Sequence, residues 1–146
     1  DRRTLLHTAG LATLAALSTQ SLAAEHETTT TPAMPVAARQ ALLTAAADCV
    51  QKGQVCLAHG LVLLGEGDTG IAGCAKAVNQ MLALCSALAS LGAQESRLVP
   101  ALAKVALDAC QECEKECKKH ADKHPQCKAC AESCGECIKQ CKAVLA

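Results

Sequence analysis

Between Cys127 and Cys141 the chain reads CKACAESCGECIKQC, with cysteines separated by steps of 3, 4, 3 and 4. Steps of 3 and 4 hold side chains on one face of an α-helix, whereas a strand would send residues three apart to opposite faces. Cys127, Cys134 and Cys141 share one heptad position, and Cys130 and Cys137 share the other core position, so all five face one interior seam. Cys110, Cys113 and Cys117 repeat the rhythm, Cys49 and Cys56 stand seven apart, and Cys74, Val78, Met81 and Cys85 step by 4, 3 and 4. The charged residues Glu112, Glu114, Glu116, Lys118, Lys119, Lys128, Glu132, Glu136 and Lys139 fall on the opposite faces. All twelve cysteines are therefore expected to line one column.

Composition sharpens this reading. The chain of 146 residues has no Phe, Tyr or Trp, so Leu, Ala, Val and Cys must fill its core. A chain of this length does not need disulfides merely to compensate for a small core. Its formal net charge is zero, which gives no electrostatic reason to bind nucleic acid. The basic turn KKHADKH (Lys118 to His124) reads as a solvated loop, since nucleic-acid platforms use aromatic stacking.

The chain divides into three parts. Residues 1–23, with Arg2 and Arg3, an apolar stretch from Ala9 to Leu17, and Ser21-Leu22-Ala23 as a small-x-small cleavage signal, are similar to a twin-arginine (Tat) export signal. Leu5 and His7 depart from its common pattern, and a Sec signal is the alternative. The apolar run is too short for a membrane span. The expected mature protein begins near Ala24, outside the cytoplasm, in a periplasm or internal membrane lumen. Residues 24–34, rich in Thr and Pro, read as a flexible linker. Residues 35–146 hold four helical segments, expected at about 35–64, 69–90, 97–121 and 125–145. Asp68 or Thr69 can cap the second and Ser96 the third, while Pro35, Pro100 and Pro125 suit first turns. Short loops between them give an all-α fold, an antiparallel four-helix bundle with cysteines lining the core. The run Leu61-Val62-Leu63-Leu64 is expected inside the monomer, with a subunit contact as the alternative.

Sulfur geometry selects the chemistry. Helical neighbours three or four apart have Cβ atoms about 5–6 Å apart, whereas a disulfide wants about 3.8 Å. Two sulfurs sharing one metal can be up to about 4.6 Å apart with bonds of about 2.3 Å. Thiolate is a soft ligand that suits Cu(I), zinc and iron–sulfur clusters. A zinc held by four thiolates carries a net charge of −2, so three such sites would bury about six charges in an apolar bundle. One Cu(I) per bridging thiolate leaves the column near neutral, with a capacity of order ten Cu(I) per chain. Cys130, Cys134 and Cys137 also spell the CxxxCxxC of radical SAM iron–sulfur enzymes, but as part of a longer helical series and not on a loop. No nucleophile–base pair or open zinc triad stands out, so the chain does not read as an enzyme. A disulfide-stapled structural protein is the alternative, pairing Cys117 with Cys127, Cys113 with Cys130 or Cys134, and Cys110 with Cys137. The first two helices hold too few cysteines to complete that scheme.

Other donors lie beside the column. His59 follows Cys56 by three, His120 follows Cys117 by three, and His124 precedes Cys127 by three. An up-down bundle gathers all three at one end, next to Cys74. His59 and His120 join the ligand set as a port for copper, and His124 stands outside it; the competing reading has them solvated beside Lys119 and Lys123. Met81 shares the cysteine stripe and offers either a thioether or simple packing. Met34, in the linker, is a bystander.

The paired arginines, the four helical segments and the inward cysteines together resemble the bacterial copper storage proteins, in particular the exported form of methane-oxidising bacteria, over about residues 35–144 and the leader. The resemblance implies a Cu(I) store within a four-helix bundle, assembled as a homotetramer. It also implies copper supply, directly or through a copper chelator, to a cuproenzyme such as a methane monooxygenase. Cys49, Cys56, Cys74, Cys85, Cys110, Cys113, Cys117, Cys127, Cys130, Cys134, Cys137 and Cys141 match the family's inward cysteines. The family also carries His and Met near an open bundle end, where this chain has few Met.

Overall fold

The computed structural model describes residues 34–146. The leader 1–23 and nearly all of the 24–34 linker lie outside the described residues. Met34, the last residue of that linker, packs against the edge of the core. Four helices follow in order: α1 (Val36–Gly65), α2 (Ala72–Ala93), α3 (Val99–Lys118) and α4 (Pro125–Leu145), with a 3-10 turn at Thr69–Ile71 before α2. No strand occurs among the described residues. Each helix packs its backbone against its two neighbours around a ring, α1 on α2, α2 on α3, α3 on α4 and α4 on α1, and among the described residues diagonal helices meet only through side chains at the axis. This is the antiparallel four-helix bundle anticipated from the short loops.

The core follows from one periodicity in all four helices. Leu42, Ala46, Cys49, Gly53, Cys56 and Gly60 form the buried seam of α1. Cys74, Val78, Met81, Cys85, Leu88 and Gly92 form that of α2, and Val99, Ala103, Ala106, Cys110, Cys113 and Cys117 that of α3. In α4 the seam is Cys127, Cys130, Cys134, Cys137 and Cys141. Every seam alternates steps of 4 and 3, the pattern that keeps knobs directed at a shared axis. Small residues set how closely the helices approach. A Cβ on Gly53 would come within 2.6 Å of the Met81 Cε, so the methionine methyl fills the notch that glycine leaves in α1. The apolar α2 passes the length and hydropathy test for a bilayer span, but its cysteine seam is buried inside the bundle.

The helix ends depart from the sequence reading in instructive ways. The Asp68 carboxylate accepts from the Gly70 N–H at 3.0 Å and so caps the 3-10 turn, while α2 itself begins without a side-chain cap. Ser96 Oγ accepts from the Leu98 N–H at 3.3 Å, one turn before α3, which likewise has no side-chain cap. Pro35 stands at the N-cap and its carbonyl accepts the first helical bond from Arg39, whereas Pro100 and Pro125 occupy first turns. Helix α3 ends at Lys118, short of residue 121, because His120 and Lys123 close tight turns onto Cys117 and His120. Leu61 and Val62, expected inside, are each 58% exposed. The seam passes through Gly60, and these two residues turn away from it.

Two reversals share one geometry. After α1 the Asp68 N–H reaches the Leu63 carbonyl at 2.9 Å and the Gly67 N–H reaches Leu64 at 3.1 Å. After α2 the Ser96 N–H reaches Leu91 at 3.0 Å and the Glu95 N–H reaches Gly92 at 3.1 Å. Both are Schellman closures that need a residue with positive φ. Gly67 supplies it at 94°, and Glu95 adopts 54°, its carboxylate paired with Arg39 at 2.8 Å. A Cβ on Gly67 meets no neighbouring atom within 4 Å, so substitution tests backbone strain alone. Gly67→Ala is expected to destabilise the copper-free protein by about 1–2 kcal/mol, seen as a lower urea midpoint; an unchanged midpoint would show that the turn relaxes without cost.

Candidate metal centre

The seams bring all twelve cysteines into one interior column, each buried and none in a disulfide. From Cys127 to Cys141 the column is about 21 Å long at 1.5 Å per helical residue. Sulfur meets sulfur between helices: Cys74 and Cys117 at 3.5 Å, Cys85 and Cys110 at 3.5 Å, Cys113 and Cys130 at 3.7 Å, and Cys56 and Cys127 at 3.7 Å. Within α3, Cys113 and Cys117 approach to 3.9 Å. These separations are far beyond a disulfide bond of about 2.05 Å and suit sulfurs that share a metal. The pairing scheme of the stapled alternative holds only in part. Cys113 does face Cys130, but Cys117 sits against Cys74 of α2, and Cys127 against Cys56 of α1.

Four groups of sulfurs have mutual separations within 4.8 Å: Cys56, Cys74 and Cys127; Cys56, Cys117 and Cys130; Cys113, Cys130 and Cys134; and Cys49, Cys85, Cys110 and Cys137. Cys56 joins the first group to the second, and Cys130 joins the second to the third. Cys134 lies close enough to Cys49 and Cys110 to lower both thiols and so links the third to the fourth, while Cys141 extends the column beyond Cys137. The chain of sulfurs is thus continuous.

A row of thiols this dense redistributes protons. Cys49 is held far below the ordinary thiol range by the hydrogen bond from Cys110, then by those from Cys134, Cys137 and Cys85. Cys130 is lowered in the same way, first by Cys113 and then by Cys117, Cys134 and Cys56. The donors are pushed the other way: Cys117 rises chiefly through its bond to Cys113, and Cys134 through its bond to Cys110. Cys74 is drawn down to about 3, led by Cys117, with the nearby His120 charge contributing. Thiolates shared among S–H donors are the form a soft metal takes.

The two ends of the column differ. At one end, past Cys141, the seams continue as Leu42, Ala46, Leu88, Val99 and Ala103, all buried. At the other stand His59, His120 and His124, all half-buried. His59 Nε2 and His124 Nδ1 lie 2.9 Å apart, one ring donating to the other, and the His120 and His124 ring centroids are 6.4 Å apart. The three histidines expected at one end of the bundle do lie together there, and His124, outside the expected ligand set, is the one that neighbours both others. Its place before Cys127 in the chain, on the α3–α4 turn, hid that role. Met81 is fully buried in the α2 seam with its methyl against Gly53, a packing position on the wall of the column. The charges form short pairs on the outside, such as Lys118 with Glu114 at 2.7 Å and Lys139 with Glu136 at 3.5 Å, and none enters the core.

Comparison with known proteins agrees with this geometry. No curated protein sequence matches the chain significantly. The family model described as copper storage protein matches residues 36–146. Among solved structures the chain is similar to the Cu(I)-bound copper storage protein BsCsp3, at 25% identity and a TM-score of 0.67, covering 75% of this chain and 99% of that one. It is similar in fold to apo-Csp3 from Bacillus subtilis, at 24% identity and a TM-score of 0.64, covering 73% and 98%. It is also similar in fold to Ccsp from Streptomyces lividans, a structure loaded with 10 copper equivalents, at 23% identity and a TM-score of 0.68, covering 75% and 84%. From the seam of its four helices to this family match over the whole bundle, the chain belongs to the copper storage protein family.

Proposed function

We infer that this copper storage protein holds its copper as Cu(I) on the twelve inward thiolates, with a capacity of order ten ions, one per sulfur. The observation that carries the reading is the continuous row of buried free thiols in which Cys56 and Cys130 each belong to two groups of three. Corner-sharing threes suit a small monovalent ion that accepts few ligands and bridges through sulfur. Charge supports the same ion: one Cu(I) per thiolate leaves the column near neutral, and its walls offer no Lys or Arg to balance a surplus. The role is storage, since the buried sulfurs face one another along a continuous column.

The histidine cluster at the polar end is the port. His59 and His120 take the ion first, and His124 orients His59 through their ring contact. Met81 adds a thioether to the wall between Cys74 and Cys85. The leader directs export by the Tat route to the periplasm or an internal membrane lumen, where the store supplies a cuproenzyme, such as the methane monooxygenase implied by the methanotroph proteins it resembles. The exposed Val55 and Val62, seven residues apart on α1, support assembly into a homotetramer.

An anaerobic Cu(I) titration of the protein, purified without reductant, against a coloured chelator tests the central claim. Uptake near one Cu(I) per cysteine is expected; uptake near zero with few titratable thiols would replace storage with a disulfide-stapled structure. Cys130→Ser is expected to remove about one equivalent, because bridging neighbours rearrange, and loss of all uptake would point to a single site. For the port, the paired variant His59→Ala/His120→Ala is expected to slow uptake several-fold in stopped-flow while leaving the final capacity unchanged; unchanged rates would move the port elsewhere. For export, Arg2→Lys/Arg3→Lys is expected to leave the protein in the cytoplasm, and continued appearance of a species starting near Ala24 outside it would favour the Sec route.

A further inference from the structure

One of the four sulfur groups differs in kind from the rest. Cys49, Cys85, Cys110 and Cys137 come one from each helix, and all four sulfurs lie within 4.8 Å of one another. The other groups offer three sulfurs each. A tetrahedral ion with metal–sulfur bonds of about 2.3 Å spaces its sulfurs about 3.8 Å apart. Cys85 and Cys110 already stand at 3.5 Å. Since each ligand belongs to its own helix, no fixed step along one backbone sets any of the six separations, and small side-chain rotations can regularise them.

We propose that this tetrad is also a site for one tetrahedral thiophilic divalent cation, Zn(II) by class, held on thiols that Cu(I) otherwise takes. Binding forms four metal–sulfur bonds, and the protons still carried by the four sulfurs pass to solvent. The site carries a net charge of −2, and that charge is why three such sites cannot share the bundle. A single site has an outer thiol to spread it: Cys134, outside the tetrad, lies close enough to Cys49 and Cys110 to lower both. Such outer donors steady coordinated thiolates and tune the ion they hold.

The placement gives the ion a consequence. The tetrad lies just above the apolar end formed by Leu42, Leu88 and Val99, where one ion ties all four helices at a single level. It also withdraws four thiols from the copper column until a softer ion displaces it. The proposal needs only the tetrad thiols and goes beyond the storage reading.

The test uses the reduced, copper-free protein, titrated anaerobically with Co(II) as a visible probe and then with Zn(II). The expected result is one equivalent of Co(II) showing the ligand-field bands of a tetrahedral tetrathiolate, bleached by one equivalent of Zn(II). Cys49→Ser and Cys137→Ser are expected to lower Co(II) affinity by at least about a hundredfold, more than an outer-donor change would, while Cys127→Ser keeps the spectrum. The idea fails if the parent protein shows no tetrathiolate bands, if it binds two or more such ions with similar strength, or if the bands survive Cys49→Ser. Should Cys49→Ser not fold by circular dichroism, the parent stoichiometry and Cys127→Ser still decide. A parallel Cu(I) titration separates the two readings: copper uptake without Co(II) binding sinks this site and spares storage, and Co(II) binding without copper uptake does the reverse.

Discussion

Sulfur packed against sulfur is the contact on which this bundle depends. A core normally gains much of its buried area from aromatic rings, and this chain has none. Thiols of four helices take their place, close enough to serve as small hydrophobes and close enough to share an ion. The two demands meet only if each helix repeats its buried positions at steps of 4 and 3. The heptad is thus a packing rule and a ligand rule at once, and cysteine can substitute for leucine along it without altering the path of the chain.

Most of the fold and most of the candidate site were legible for that reason. The rhythm of Cys127 to Cys141 defines a helix face with no further information, and the turns at Gly65–Gly70 and Asp122–Pro125 need only be short to force antiparallel neighbours. What stayed hidden was lateral. Periodicity fixes which face a residue occupies but not the height at which it meets the next helix. Cys117 therefore looked like a partner for Cys127 across the turn, whereas the two helices are offset and Cys117 meets Cys74 instead. The cap residues misled for a related reason: Asp68 and Ser96 do accept backbone N–H groups, but in turns that precede the helices. For Leu61 and Val62 the less favoured of two readings, an outward face, is the one found, because a short apolar run carries no sign of which side a neighbouring helix will cover.

The family match and the geometry answer different questions. The match over residues 36–146 says what kind of protein this is. The geometry says how unequal the column is along its length. Helices α3 and α4 give a nearly unbroken row of cysteines, while α1 and α2 interrupt theirs with Gly53, Val78 and Met81. Three-sulfur groups occupy the stretch from the histidines to the middle, and the four-helix tetrad lies beyond them. The number of sulfurs that stand close together rises from three to four with depth in the bundle.

The apolar residues beyond Cys141 turn the column into a tube sealed at its base. Leu42, Leu88 and Val99 leave no donor to receive an ion there. With entry at the histidines, as proposed, traffic would run through one mouth and obey the rule of a stack: what arrives last would stand nearest the histidines and depart first. A partly filled store would exchange its outermost ions quickly and its deepest ones slowly, so isotopically labelled copper added to it would equilibrate in two phases and not in one.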